Sequence, residues 1–167
     1  MKMAGFYDES ISNGLGWRAV LFVSGCPHNC PGCHNKIAQD YNYGTEFDET
    51  SLINRIKENS ILSGITISGG EPLCKENIAQ VNQFIENVKK EKPNFNVWCY
   101  TGYTLEELKN RNDDMTNKTL NNIDVLVDGR FIEERKNPEI KFRGSDNQRI
   151  LNLRESLKAN KIIELDI

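Results

Sequence analysis

"AVLFVSGCPHNCPGCHN", residues 19–35, runs from a short apolar segment through Ser24-Gly25 into three cysteines, Cys26, Cys30 and Cys33. A brief, continuous apolar run reads as a strand covered on both faces, the kind found in parallel sheets. Three more segments share its form: "ITI" (65–67), "NVWCY" (96–100) and "IDVLV" (123–127). Each gives way to a small polar or acidic residue and then a glycine. The pairs are Ser24-Gly25, Ser68-Gly69, Thr101-Gly102 and Asp128-Gly129. In βα folds the carboxyl ends of the strands form the ligand-binding rim. One such exit is ordinary turn chemistry. Four in series predict a shared rim.

Helical patterns fill the spaces between. Asp48 is placed to cap a segment carrying Leu52, Ile53 and Ile56 on one side. Ile78, Val81, Ile85 and Val88 repeat at helical spacing, and Pro93 closes that helix. "TLEE" (104–107) has the form of a capping box. Strands alternating with helices predict an α/β fold built from βαβ units around a parallel sheet. The stretch "KNRNDDMTNKTLNN" (109–122) is strongly polar. After Asp128 the periodicity fails over a long charged segment, residues 129–149, which reads as functional. "ILNL" (150–153) then returns to the sheet, followed by a helix and a short terminal strand.

A chain of 167 residues suits one domain spanning 1–167. With 27% charged and 38% hydrophobic residues it has the composition of an ordinary globular protein. The net charge of −3 and the lack of a basic block argue against nucleic-acid and membrane partners. No apolar run is long enough to span a bilayer, and "MKMAGFYDES" lacks the apolar core of a signal peptide. A cytoplasmic address is expected, where disulfides are improbable. Five cysteines is also an odd number, so metal ligation suits the clustered three better.

Cys-x3-Cys-x2-Cys gathers three soft thiolates on one turn, which serves iron–sulfur or zinc equally. Pro27 and Pro31 stiffen the loop. Tetrahedral zinc and cubane clusters normally take four ligands, so something else must fill the fourth place. His28 or His34 would complete a zinc site; Cys74 or Cys99 would complete an electron-transfer cluster; a small molecule would take an open iron. "ISGGEP" (67–72), on the same predicted rim, breaks the tie. Gly69 and Gly70 expose backbone and Glu71 offers a carboxylate, a combination suited to a molecule bearing an ammonium group. No P-loop signature is present. Elsewhere the plain readings hold: Cys74 and Cys99 as core thiols, Trp98 and Tyr100 as sheet packing, Trp17 and Arg18 as structural.

"CPHNCPGC" followed one βα unit later by "SGGEP" resembles the radical S-adenosylmethionine enzymes. "NGLGWRAVLFVSGCPHNCPGCHN" (13–35), "YTGY" (100–103), "VLVDGRF" (125–131) and "FRGSDNQR" (142–149) are similar, within that superfamily, to the activating enzymes of anaerobic (class III) ribonucleoside-triphosphate reductases. The resemblance covers nearly the whole chain in order. It implies a partial TIM-like βα barrel of parallel strands. It implies a 4Fe–4S cluster held by Cys26, Cys30 and Cys33, with S-adenosylmethionine chelating the fourth iron. Gly69, Gly70 and Glu71 match the motif that receives the cofactor's amino group. Gly32 and His34 flank Cys33, where backbone and ring can reach the adenine. Thr101 and Asp128 match rim positions near the ribose, the methionine moiety or a cation. The superfamily commonly has an aromatic residue just before the third cysteine; this chain has Gly32, as the reductase-activating branch does.

The implied chemistry is reductive cleavage of the sulfonium C–S bond to a 5′-deoxyadenosyl radical, with an electron from a donor such as flavodoxin or ferredoxin. The cofactor carries that chemistry, and the protein supplies position and exclusion of water. A chain this short builds only part of a barrel. A partner must therefore cover the open side: the glycyl-radical subunit of the reductase, whose backbone glycine donates the hydrogen. Segment 129–149 is the expected contact, with Arg135 and Lys136 at its charged centre. The rival readings are an activase for another glycyl-radical enzyme, such as pyruvate formate-lyase, and a non-catalytic zinc or electron-transfer module. The short chain, without added ferredoxin-like cysteine pairs, favours the reductase.

Overall fold

The computed structural model describes residues 1–167 and sets the four apolar segments side by side in a seven-stranded sheet. The first half of the chain forms β1 (Lys2–Ser10), β2 (Arg18–Val23), β3 (Thr45–Glu46), α1 (Glu49–Glu58), β4 (Gly64–Gly69) and α2 (Ile78–Glu91). The second half forms β5 (Asn96–Tyr100), α3 (Leu105–Asn110), α4 (Asp114–Asn122), β6 (Val125–Asp128), β7 (Arg149–Asn152) and α5 (Leu153–Ala159). The strand order is β3-β1-β2-β4-β5-β6-β7. The central β2, β4, β5 and β6 are parallel, as their apolar runs predict. The flanks are not: β1 pairs antiparallel with β2, β3 with β1, and β7 with β6. The sheet is thus mixed.

Caps mark the helix starts where the sequence puts them. The Asp48 carboxylate accepts the Ser51 N–H at 3.0 Å, and Thr104 with Glu107 forms a complete capping box on α3. The unexpected helix is α4. Its first turn is capped by Asp113, and it buries Thr116 and Thr119 beside Leu120 instead of an apolar stripe. Thr119 donates its hydroxyl to the Met115 carbonyl at 2.7 Å, which lets a polar side chain go under cover. No helix is long and apolar enough to cross a membrane.

Alternation along the strands divides the sheet into two faces. Leu21, Val23, Ile65, Ile67, Val97, Cys99, Leu126 and Leu151 belong to the main core with the apolar stripes of the helices. Trp98, Val125, Val127 and Ile150 form a separate cluster on the other face, joined by Tyr100, Phe142 and Leu165. The first face is packing. The second carries a cavity.

At the amino ends of the parallel strands a single cation ties the layers together. Arg18 is buried, with Nε donating to Thr66 Oγ1 at 2.7 Å. Its other nitrogens donate to the carbonyls of Leu15 (3.0 Å), Ile65 (2.5 Å) and Asn96 (2.7 Å). The guanidinium also lies 5.5 Å from the Trp98 ring centroid, and burial lowers its pKa to about 10. Arg18→Met keeps the stem but leaves one buried and two partly buried carbonyls and a buried hydroxyl without their donor. A urea titration should register a loss of about 3 kcal/mol or more, at about 1–3 kcal/mol per buried group left unpaired. A loss below about 1 kcal/mol would mean that the guanidinium is dispensable to the sheet.

Candidate functional site

The exits of the four parallel strands do converge. Ser68 and Gly69 at the end of β4 with Gly70 just beyond, Thr101 and Gly102 after β5, and Gly129 after β6 line one cavity of about 400 Å³. Cys26, Cys30 and Cys33 of the loop after β2 line the same cavity. Gly25, Gly69 and Gly129 have φ of 94°, 103° and 98°, values an L side chain resists, which explains glycine at these exits. At Gly70 the reason is space: a Cβ there would meet the carbonyl oxygens of Gly25 and Ala38.

The cysteine loop is pinned by its own backbone. Gly25 N donates to Ala38 O at 2.8 Å and Cys26 N to Gln39 O at 3.1 Å. Asn29, between the first and second thiols, and Gly32, between the second and third, adopt left-handed φ of 48° and 67°, folding the loop tightly. All three cysteines are free and partly exposed. Burial pushes the Cys26 thiol up to about 11 and raises that of Cys30, which also feels Cys33. Protonated thiols of this kind ionise when an incoming metal displaces the proton. No three His, Cys, Asp or Glu side chains converge as one metal ion would need, whereas a cluster spreads its thiolates over separate irons. The cavity also has room beside the thiols, within the range of small-molecule sites. The residues present fit a cluster with a bound small molecule.

The structure separates the other expected site residues. Thr101 and His34 line the cavity, and the His34 ring lies 4.9 Å from that of Phe131. Glu71 does not line it. It is fully buried, and its carboxylate accepts from Leu73 N (2.9 Å), Thr101 Oγ1 (2.8 Å) and Gly102 N (2.7 Å). His28 Nε2 lies 2.7 Å from the same carboxylate. The expectation that Glu71 faces an ammonium group is therefore corrected: its oxygens are occupied by the fold. Asp128 is likewise turned inward. It accepts from Leu105 N at 2.8 Å and from two nitrogens of Arg149 at 2.9 and 2.6 Å. Gly32 is not among the lining residues; a Cβ there would meet the Glu133 carboxylate, with Oε1 at 2.7 Å.

The open question of a fourth ligand narrows. His28 lines the cavity but commits Nε2 to Glu71, and Cys74 and Cys99 are buried away from the lining. Arg135 and Lys136 are exposed and outside the lining, with Arg135 paired to Asp146 at 2.5 Å. Other parts of their segment form the wall instead. Phe131, Phe142, Arg143, Gly144 and Gln148 face the cavity, as do Ser12 and Asn13 from the β1–β2 connection. One local pointer to the latter exists, the glycine pair around Leu15 in "NGLGW".

Glu71→Gln keeps the shape but replaces one acceptor oxygen by a donor, which then faces the Gly102 N–H. Stability in urea should fall by about 1–3 kcal/mol. Unchanged stability would mean that the four contacts are not held in solution.

Residues 12–151 match the family described as a 4Fe–4S single cluster domain. The chain is 41% identical over 152 residues to a protein of Haemophilus influenzae, covering 89% of this chain and 96% of that one. It is 39% identical over 153 residues to one from Escherichia coli K12, covering 89% and 97%. A third, from Enterobacteria phage T4, is 36% identical over 151 residues, covering 86% and 89%. Each of the three carries the name anaerobic ribonucleoside-triphosphate reductase-activating protein.

Proposed function

The chain belongs to the family of anaerobic ribonucleoside-triphosphate reductase-activating proteins, and we propose that it activates such a reductase as a radical S-adenosylmethionine enzyme. The observation that carries this reading is the meeting of three loop thiols and three further strand exits on one cavity. Cys26, Cys30 and Cys33 would hold three irons of the 4Fe–4S cluster, leaving the fourth to S-adenosylmethionine. With both bound, they supply reductive cleavage of the sulfonium bond and a radical able to take hydrogen from a backbone glycine of the reductase.

The chain's own residues bind, orient and shield. Ser68, Gly69 and Gly70 offer backbone and hydroxyl groups at the β4 exit for the ammonium end. The His34 ring, backed by Phe131, offers a flat surface to the adenine. Glu71 acts through others, holding Thr101, Gly102 and His28 at the cavity edge. We read the sheet as an incomplete βα barrel: helices pack on one face only, and the cavity face stays open for a partner to cover. The reductase's glycyl-radical subunit is that partner, a small donor such as flavodoxin or ferredoxin brings the electron, and the cytoplasm is the setting.

Two experiments test the reading. Cys→Ser at 26, 30 or 33 should reduce iron and sulfide in anaerobic preparations to near background and abolish S-adenosylmethionine cleavage. Cys74→Ala and Cys99→Ala should retain both. A Cys74→Ala chain unable to hold the cluster would defeat the three-ligand assignment.

The second concerns docking. Lys136→Glu, alone or with Arg135→Ala, alters exposed charge beyond the cavity. Losing the Arg135–Asp146 pair should itself cost under about 1 kcal/mol, since both partners are exposed. Glycyl-radical formation on the reductase, read by electron paramagnetic resonance, should drop several-fold relative to 5′-deoxyadenosine release without reductase. Equal falls in both would assign this segment to the cofactor site or the fold.

A further inference from the structure

Pro27, His28 and Asn29 carry the chain from the first thiol to the second, and little holds them. No backbone hydrogen bond joins these three residues to the chain beyond the loop. Asn29 sits at φ 48°, a left-handed conformation that asparagine adopts without being locked in it. One side chain ties the stretch down. The His28 side chain is only 5% exposed, and its Nε2 lies 2.7 Å from Glu71 Oε2. A hydrogen bond at one nitrogen fixes that atom but leaves the ring free to turn about it. The plane of the ring needs a second constraint.

Tyr103 supplies it. Its ring stands at 69° to that of His28 with centroids 4.4 Å apart, an edge contact. Tyr103 is itself anchored: its N–H donates to Thr101 Oγ1 at 3.1 Å and its carbonyl accepts from Gly129 N at 3.2 Å. Arg111, one residue past the end of α3, sets its guanidinium carbon 4.2 Å from the Tyr103 ring centroid. Arg111 enters none of the ion pairs of the chain. Its Nη1 donates instead to Leu73 O at 2.6 Å, and Leu73 N donates to Glu71 Oε1 at 2.9 Å. The contacts close on themselves, from Glu71 through His28, Tyr103, Arg111 and Leu73 back to Glu71. Neither Tyr103 nor Arg111 lines the cavity.

We propose that Tyr103 and Arg111 are positioning residues for the cysteine loop: they hold the His28 ring, and through it the spacing of Cys26 and Cys30, before any cluster is bound. The assignment rests on the reading of that loop as the holder of the cluster. A site formed in advance loses less order on loading, and the groups behind the ligands decide how well it is formed. Two separate devices then secure the loop. Backbone bonds at Gly25 and Cys26 fix its start, and the closed set of side chains fixes its middle.

The test has two arms. In the metal-free, reduced chain, mass spectrometry of peptides reads the rate at which iodoacetamide alkylates each cysteine. Tyr103→Leu should raise the rates of Cys26 and Cys30 about 2- to 10-fold, the weight of one aromatic pair. Cys74 and Cys99, which are buried, should stay slow. Tyr103→Phe keeps the ring and should restore the unsubstituted rates, and Arg111→Met should fall between. In the anaerobically reconstituted chain, Tyr103→Leu should broaden the electron paramagnetic resonance spectrum of the reduced cluster, and Tyr103→Phe should restore its shape. Loss of the cluster from Tyr103→Leu, with only the loop thiols accelerated, would support the assignment equally. Unsubstituted rates or an unsubstituted spectrum in Tyr103→Leu would overturn it, as would Tyr103→Phe behaving like Tyr103→Leu. Equal acceleration of all five cysteines would overturn it too, by giving Tyr103 to the fold at large. An unsubstituted chain that binds no cluster would bring down the cluster reading, while the metal-free arm still decides whether Tyr103 holds the loop.

Discussion

A buried carboxylate must be met by donors on every side or it destabilises the fold. Glu71 satisfies this by drawing on three strand exits: its own through Leu73, that of β5 through Thr101 and Gly102, and the cysteine loop through His28. The backbone around it repeats the same connections. Gly70 N donates to Val23 O at 2.7 Å, Glu71 N to Gly25 O at 2.8 Å, and the Asn77 amide to Ser24 O at 2.9 Å. The position of the three thiols relative to the β4 and β5 exits is therefore fixed by one saturated acid. The same constraint explains Gly102, where a Cβ would strike the His28 imidazole.

The parallel strands are short, from four residues in β6 to six in β2 and β4, so their ladders alone leave the ends free to splay. Opposite charges secure the two ends. Arg18 collects carbonyls at the amino ends, and Glu71 collects N–H and O–H groups at the carboxyl ends. Asp128 does for the far edge what Glu71 does for the centre, joining the end of β6 to the start of α3 and to Arg149 of β7. None of these ions is an ornament of the surface: each replaces backbone partners that regular structure cannot supply at the point where a strand stops.

Most of the scaffold could be read from periodicity because burial wrote it there. The parallel strands are apolar on both faces, and α2 carries a full stripe. Elements that solve their burial differently were illegible. β1, "KMAGFYDES", is half exposed and interrupted by Gly5 and two acids. α4 hides Thr119 by bonding it to the Met115 carbonyl and Thr116 by bonding it to the capping Asp113 carboxylate. The three cysteines and the glycine exits announced the site, since their spacing and conformational demands are local. Which way Glu71 and Asp128 turn was not local. It depends on N–H groups from distant exits and on Arg149, twenty-one positions beyond Asp128. A rim carboxylate in a sequence looks the same whether it faces a ligand or anchors the loop beside one.

That inward turn has an electrostatic consequence for the cavity. Burial already raises the Cys26 and Cys30 thiols, and each ionised neighbour makes the next ionisation harder. Carboxylates facing the same space would add to that penalty and oppose thiolate formation. The fold keeps its two rim acids but engages both with internal donors, so the cavity wall presents thiols, amides, hydroxyls, imidazoles and one guanidinium. Acids are needed at the strand ends to hold the loops, and they are unwelcome where thiols must ionise. Turning them inward keeps their oxygens off the cavity wall, yet the Glu71 charge still adds to the rise of the Cys26 thiol, while Arg130 eases that of Cys30.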